Sequence, residues 1–156
     1  MSGKRTALSI LIGMAIITLV YRDNRAFGQS ESPEQSMRVP AYHATGPRSL
    51  LSPVLSPARF HDNVTRNAYL LAGKIPEVLY QAPCYCYCDR SHGHKSLHDC
   101  FMSTHGASCS VCQREVFYSY EQHKRGKTLL QIRKGIMAAD WADIDISLYQ
   151  KKLPRE

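Results

Sequence analysis

Cys84-Tyr85-Cys86-Tyr87-Cys88 and, beyond Cys100, Cys109-Ser110-Val111-Cys112 hold all six cysteines of a chain of 156 residues. Four of its seven histidines, His92, His94, His98 and His105, are interleaved with them. No other stretch concentrates so much thiol and imidazole. The sequence on either side reads as helix, so the fold expected is mostly α: a small helical domain with a Cys/His-rich irregular loop between helices.

Upstream, Asp62 is placed to cap a helix in which Val64, Ala68, Leu71, Ala72 and Ile75 recur at helical spacing. Gly73 and Pro76 interrupt that pattern. Pro76 is itself suited to the first turn of a short second helix, which delivers the chain to Pro83 and the first cysteine. Downstream, Ser110 with Gln113 forms a candidate capping box, placing Val111 and Cys112 in a first helical turn. Val116, Phe117 and Tyr120 continue as an apolar stripe, and Lys124 and Arg125 suit the negative helix end before Gly126. Thr128 and Gln131 make a second box, followed by Leu129, Ile132, Ile136 and Met137. Two antiparallel helices joined at Gly126 are the simplest arrangement. The domain is expected over residues 61–140, with 141–156 a weakly patterned tail.

The amino terminus reads as an export signal. Lys4 and Arg5 precede an apolar run from Ala7 to Val20, shorter than the roughly 20 residues that span a bilayer. Ala26-Phe27-Gly28 suits signal peptidase, so residues 1–28 are expected to be removed, with an uncleaved inner-membrane anchor as the competing reading. No cysteine near the cut would take a lipid. Residues 29–60 carry five of the eight prolines and no periodicity, a composition expected to serve as a flexible tether. The chain beyond it is then periplasmic or extracellular.

The net charge is +7, but Lys4, Arg5, Arg22 and Arg25 against Asp23 supply part of it before the domain begins. The remainder is dispersed, which argues for a solvated basic surface and against a nucleic-acid partner. The partners expected are a metal ion, another exported or membrane protein, and the membrane itself through the N-terminal segment.

In an extended chain, residues two apart share a face, so Cys84, Cys86 and Cys88 would line one side. Such neighbours are poor disulfide partners for one another. They must bind something else or pair with Cys100, Cys109 and Cys112. One outcome is a transition-metal site, copper or zinc, in which Cys109-x-x-Cys112 supplies two ligands and the helix amino terminus stabilises the Cys112 thiolate. The other is a disulfide framework, favoured by export and open to fifteen pairings. The interleaved histidines favour metal, since a disulfide scaffold has no use for them. A thioredoxin-like redox role for Cys109 and Cys112 would need a βαβ surround that is not visible. Gln113 stands where c-type haem attachment would need histidine. No catalytic residue is singled out.

Pro83-Cys84-Tyr85-Cys86-Tyr87-Cys88 resembles the Pro-Cys-Tyr-Cys-Gly-Cys motif of a family of exported bacterial proteins, often lipid-anchored and without established activity. The likeness takes in Ile75-Pro76-Glu77-Val78-Leu79, Gly93-His94-Lys95-Ser96-Leu97, Asp99-Cys100-Phe101, His105-Gly106-Ala107, Cys109-Ser110-Val111-Cys112 and Gly126-Lys127-Thr128-Leu129 with Ile132-Arg133. It departs at Tyr87, where the motif has the glycine that would permit a positive φ. By motif position, the site implied is Cys84, Cys86, Cys88, His94, Cys100, His105, Cys109 and Cys112, with His92 and His98 second in rank. The function expected is to hold or pass a metal outside the cytoplasm.

Overall fold

Asp62 opens the helical part as its chemistry requires, its carboxylate accepting the Thr65 amide at 2.8 Å. Helix α1, Asn63–Lys74, follows and runs through Gly73 before breaking at Ile75. Pro76 stands in the first turn of α2, Pro76–Tyr80. The structure, a computed structural model, describes residues 39–153, all within one unit, Met37–Glu156. The expected signal segment and the first residues of the expected tether lie outside them. Among the described residues there is no strand, and no helix is long and apolar enough to cross a membrane.

The stretch expected as one irregular loop contains three single-turn helices: α3, Cys88–Ser91; α4, Asp99–Met102; and α5, His105–Ser108. Helix α6, Ser110–Lys124, and α7, Leu129–Met137, complete the set. Gly126 stands between them at φ +74°. Its amide bonds His123 O at 2.9 Å while the Lys127 amide reaches Gln122 O at 3.1 Å. These two bonds are the Schellman pair that closes a helix end, and they need a residue tolerant of left-handed backbone. Thr128 and Gln131 form the expected capping box, worth about 1 kcal/mol. Ile132 and Ile136 are buried, whereas Leu129, expected on the same stripe, is exposed.

The expected box at Ser110 does not form. Cys109 is the N-cap and contributes no side-chain bond. Gln113 instead turns inward, where its Nε2 donates to Thr65 Oγ1, Gly106 O and Ala107 O at 3.3, 3.1 and 3.1 Å. A buried amide with three acceptors within reach gains more there than at a half-solvated helix end.

Helix α1 packs along α6, and the core between them joins Ala68, Leu71, Ala72, Leu79, Leu97, Phe101, Val116 and Phe117. Both flanks lie on this core. Residues 39–60 stay irregular apart from a 3-10 turn at Pro57–Arg59. They are nonetheless laid along the domain: Ala41 N donates to Asp89 Oδ2, His43 stacks on Tyr80 at 3.8 Å, and Leu55 N donates to Phe101 O. The tail forms 3-10 turns at Asp140–Asp143 and Ile146–Tyr149. Tyr149 stacks on Phe117 at 3.6 Å, and buried Asn67 of α1 donates to the Tyr149 and Lys151 carbonyls and accepts from the Leu153 amide.

Candidate metal centre

The first sulfurs converge through a turn rather than along an extended strand. Tyr87 N donates to Cys84 O at 3.1 Å, and Tyr87 itself sits at φ 56°, ψ 31°. The residue that replaces the motif glycine therefore occupies the left-handed conformation a glycine would take without strain. Its ring is held from outside by the Arg90 guanidinium, 4.3 Å from the centroid, and by the edge of Tyr85. The turn sets Cys84 and Cys86 Sγ 3.3 Å apart and starts α3 at Cys88.

The remaining donors come from separate parts of the chain: Cys100 from α4, His105 from α5, Cys112 from α6 and His94 from the loop before α4. The Leu97 amide donates to Ala82 O at 2.9 Å and the His98 amide to Leu79 O at 3.3 Å, which docks α4 beside α2. Asp99 accepts from the Lys95 amide at 2.6 Å and fixes the turn before Cys100. Cys88 and Cys100 Sγ are 3.3 Å apart. His94 Nδ1 lies 3.4 Å from Cys100 Sγ, and His105 Nε2 lies 3.4 Å from Cys86 Sγ. From the first turn of α6, Cys112 reaches Cys84 at 3.4 Å and Cys86 at 3.7 Å.

Seven of the eight residues expected as ligands thus fall into overlapping four-donor groups: Cys84, Cys86, Cys88 and Cys100; Cys86, Cys100, His105 and Cys112; Cys88, His94, Cys100 and His105. Within each group all donor atoms lie within 4.8 Å of one another. Cys109 belongs to none of them and sits at the margin, half-buried, in contact with Cys112 and Cys86. His92 is outside the groups too, although its ring touches those of His94 and His105 at 5.7 and 4.8 Å. His98 faces elsewhere, lining a cavity of about 440 Å³ with Pro47 and Gly73.

All six cysteines are free thiols. Sulfur–sulfur separations of 3.3–3.7 Å far exceed a disulfide bond of about 2.05 Å. They approach the edge of about 3.8 Å that four sulfurs keep around one tetrahedral ion at bonds of about 2.3 Å. Without an ion, such crowded thiols cannot all ionise. The neighbouring sulfurs, Cys112 first and then Cys84, hold Cys100 below the ordinary thiol range, and Cys86 is lowered chiefly by Cys100. Cys84, Cys88 and Cys112 are raised, each first by its hydrogen bond with Cys100. Cys112, whose thiolate the helix amino terminus was expected to favour, is raised instead, first by Cys100 and then by Cys109.

Glu115 was not expected at the site. It is fully buried on α6, one turn beyond Cys112, and its Oε1 accepts the Tyr85 amide at 2.7 Å. Burial raises its carboxyl well above the usual range, against the lowering influence of Cys84 and of the Tyr85 amide. The signal was present in the sequence: an acidic residue three positions after Cys112 shares its helix face.

Set beside known proteins, the chain matches one family model over residues 10–141, described as "Protein of unknown function with PCYCGC motif". No curated protein matches it, and no solved structure does.

Proposed function

The chain belongs to this PCYCGC-motif family of unknown function, and we propose that it holds or passes a transition metal, copper or zinc, outside the cytoplasm. The observation that carries this reading is the convergence of seven sulfur and imidazole donors from six separate elements, turns and loops, close together and with no disulfide between them. Thiolate and imidazole suit soft and borderline ions. Bringing several thiolates together in a largely buried place is unfavourable unless something positive compensates them. Export is supported by Lys4, Arg5 and the apolar run after them, and bound metal would keep the thiols from oxidising in that compartment.

Elemental analysis and thiol counting test this on the full chain purified without chelator. The expected result is a stoichiometric metal, with thiols that react only after chelation. Cys86→Ser and Cys112→Ser should each lower metal content. A chain with no metal and no reactive thiol even in denaturant would overturn the reading in favour of three disulfides.

A further inference from the structure

The donors are too many for one ion. A four-coordinate ion uses four, and a single divalent ion among five thiolates, four of them buried and Cys86 half-buried, would leave most of their charge uncompensated. The overlapping groups can be divided into two sets with a common member. Cys84, Cys86 and Cys112 form a triangle with edges of 3.3, 3.4 and 3.7 Å, and the Cys100 sulfur lies within 4.8 Å of all three. Cys88, His94 and His105 form the second set, again with Cys100 as the fourth donor. Cys100 is the one residue present in every four-donor group, and it is fully buried at the junction.

A thiolate sulfur has lone pairs for two ions, whereas an imidazole nitrogen has one. Seven donors therefore fill the eight positions of two tetrahedral ions when a single sulfur is shared. We infer that the centre is binuclear, with two zinc(II)-type ions bridged by the Cys100 thiolate. One ion is completed by Cys84, Cys86 and Cys112, and the other by Cys88, His94 and His105. This rests on the metal-binding reading above and adds the number, charge and geometry of the ions. The four-sulfur and the two-sulfur, two-nitrogen tetrahedra are zinc donor sets. Two divalent ions also offset all but one of the five thiolate charges, which two copper(I) ions would not.

The test loads the full chain with zinc under reducing conditions and measures zinc per chain by native mass spectrometry. Replacement of zinc by spin-active cadmium then allows the metals to be observed by NMR. Two zincs per chain are expected, with two cadmium resonances split by each other through the shared sulfur. His94→Ala changes a half-buried residue of only one set, so it should lose one zinc and keep the four-sulfur resonance. A single zinc per chain with all thiols masked, two cadmium resonances without mutual splitting, or binding of copper(I) but not zinc would each overturn the binuclear zinc centre while leaving metal binding intact. A chain that takes up neither metal would overturn both.

Discussion

Tyr87 shows how one side chain can compensate a poor backbone fit. Left-handed backbone costs a non-glycine residue roughly 1–2 kcal/mol. The guanidinium of Arg90 over the ring returns about 0.5–1 kcal/mol at a partly exposed site. Tyr87→Ala keeps the strained φ of 56° and loses the ring, whereas Tyr87→Gly loses the ring and the strain together. The glycine variant should therefore unfold at higher denaturant than the alanine variant, by about 1 kcal/mol. Equal midpoints would mean that the turn is not held in this conformation. Glu115 is the complementary case, a group whose sequence neighbours read as core while its carboxyl faces the sulfur cluster. It keeps the Tyr85 amide paired, and so holds the turn between Cys84 and Cys86 in place.

Among the elements, the approach of α5 to α4 decides whether imidazole meets thiol. Gly106 permits it: a Cβ there would lie 2.9 Å from Phe101 Cε1 and 3.1 Å from the Cys100 carbonyl. Phe101 is fully buried and wedged edge-on against Tyr69 at 5.0 Å, so it has little room to give. Gly106→Ala should cost about 1–3 kcal/mol by overpacking and move His105 away from Cys86. Calorimetry of zinc binding would then show weaker uptake along with a lower melting temperature. Unchanged binding in a folded variant would separate the α4–α5 contact from the site. The helices themselves were largely legible: Asp62, Pro76 and Thr128 act through local chemistry that needs no distant partner. The Ser110 box failed because Gln113 found three acceptors on α1 and α5, which are remote or structurally separate from the α6 end.

For the whole molecule, the flanking segments matter most. The tail read as loosely patterned is strapped down by Asn67 and by Tyr149, whose hydroxyl donates to Glu121 at 2.6 Å. This has a consequence at high pH. Burial first, and then the Asp140 carboxylate beside it, push Tyr118 up to about 12. Burial also pushes Tyr69 up to about 12, and burial and then Glu121 raise Tyr149. In the unfolded chain these phenols ionise near pH 10. Below that both states are protonated and the contribution is complete. Between pH 10 and about 12 the unfolded state releases protons first, so stability falls as pH rises. Thermal melts should decline over that window, with phenolate absorbance appearing together with unfolding. Phenolate formation near pH 10 in a chain that stays folded would contradict this packing.

What the sequence determined by itself was local. It specified the helix starts at Asp62, Pro76 and Thr128, the reversal at Gly126, the mostly helical class and the identity of the donors, because caps, breakers and ligand types act within a turn or are written in the side chain. The tertiary structure alone decided which donors come together. It turned Cys84–Tyr87 through a left-handed residue, placed Cys100 at the meeting point of every group, left Cys109 at the margin, and brought Glu115 against Cys84. Those outcomes depend on contacts between α2, α4, α5 and α6 that no local spacing encodes. A sulfur's neighbours are chosen by the packing of the elements that carry it.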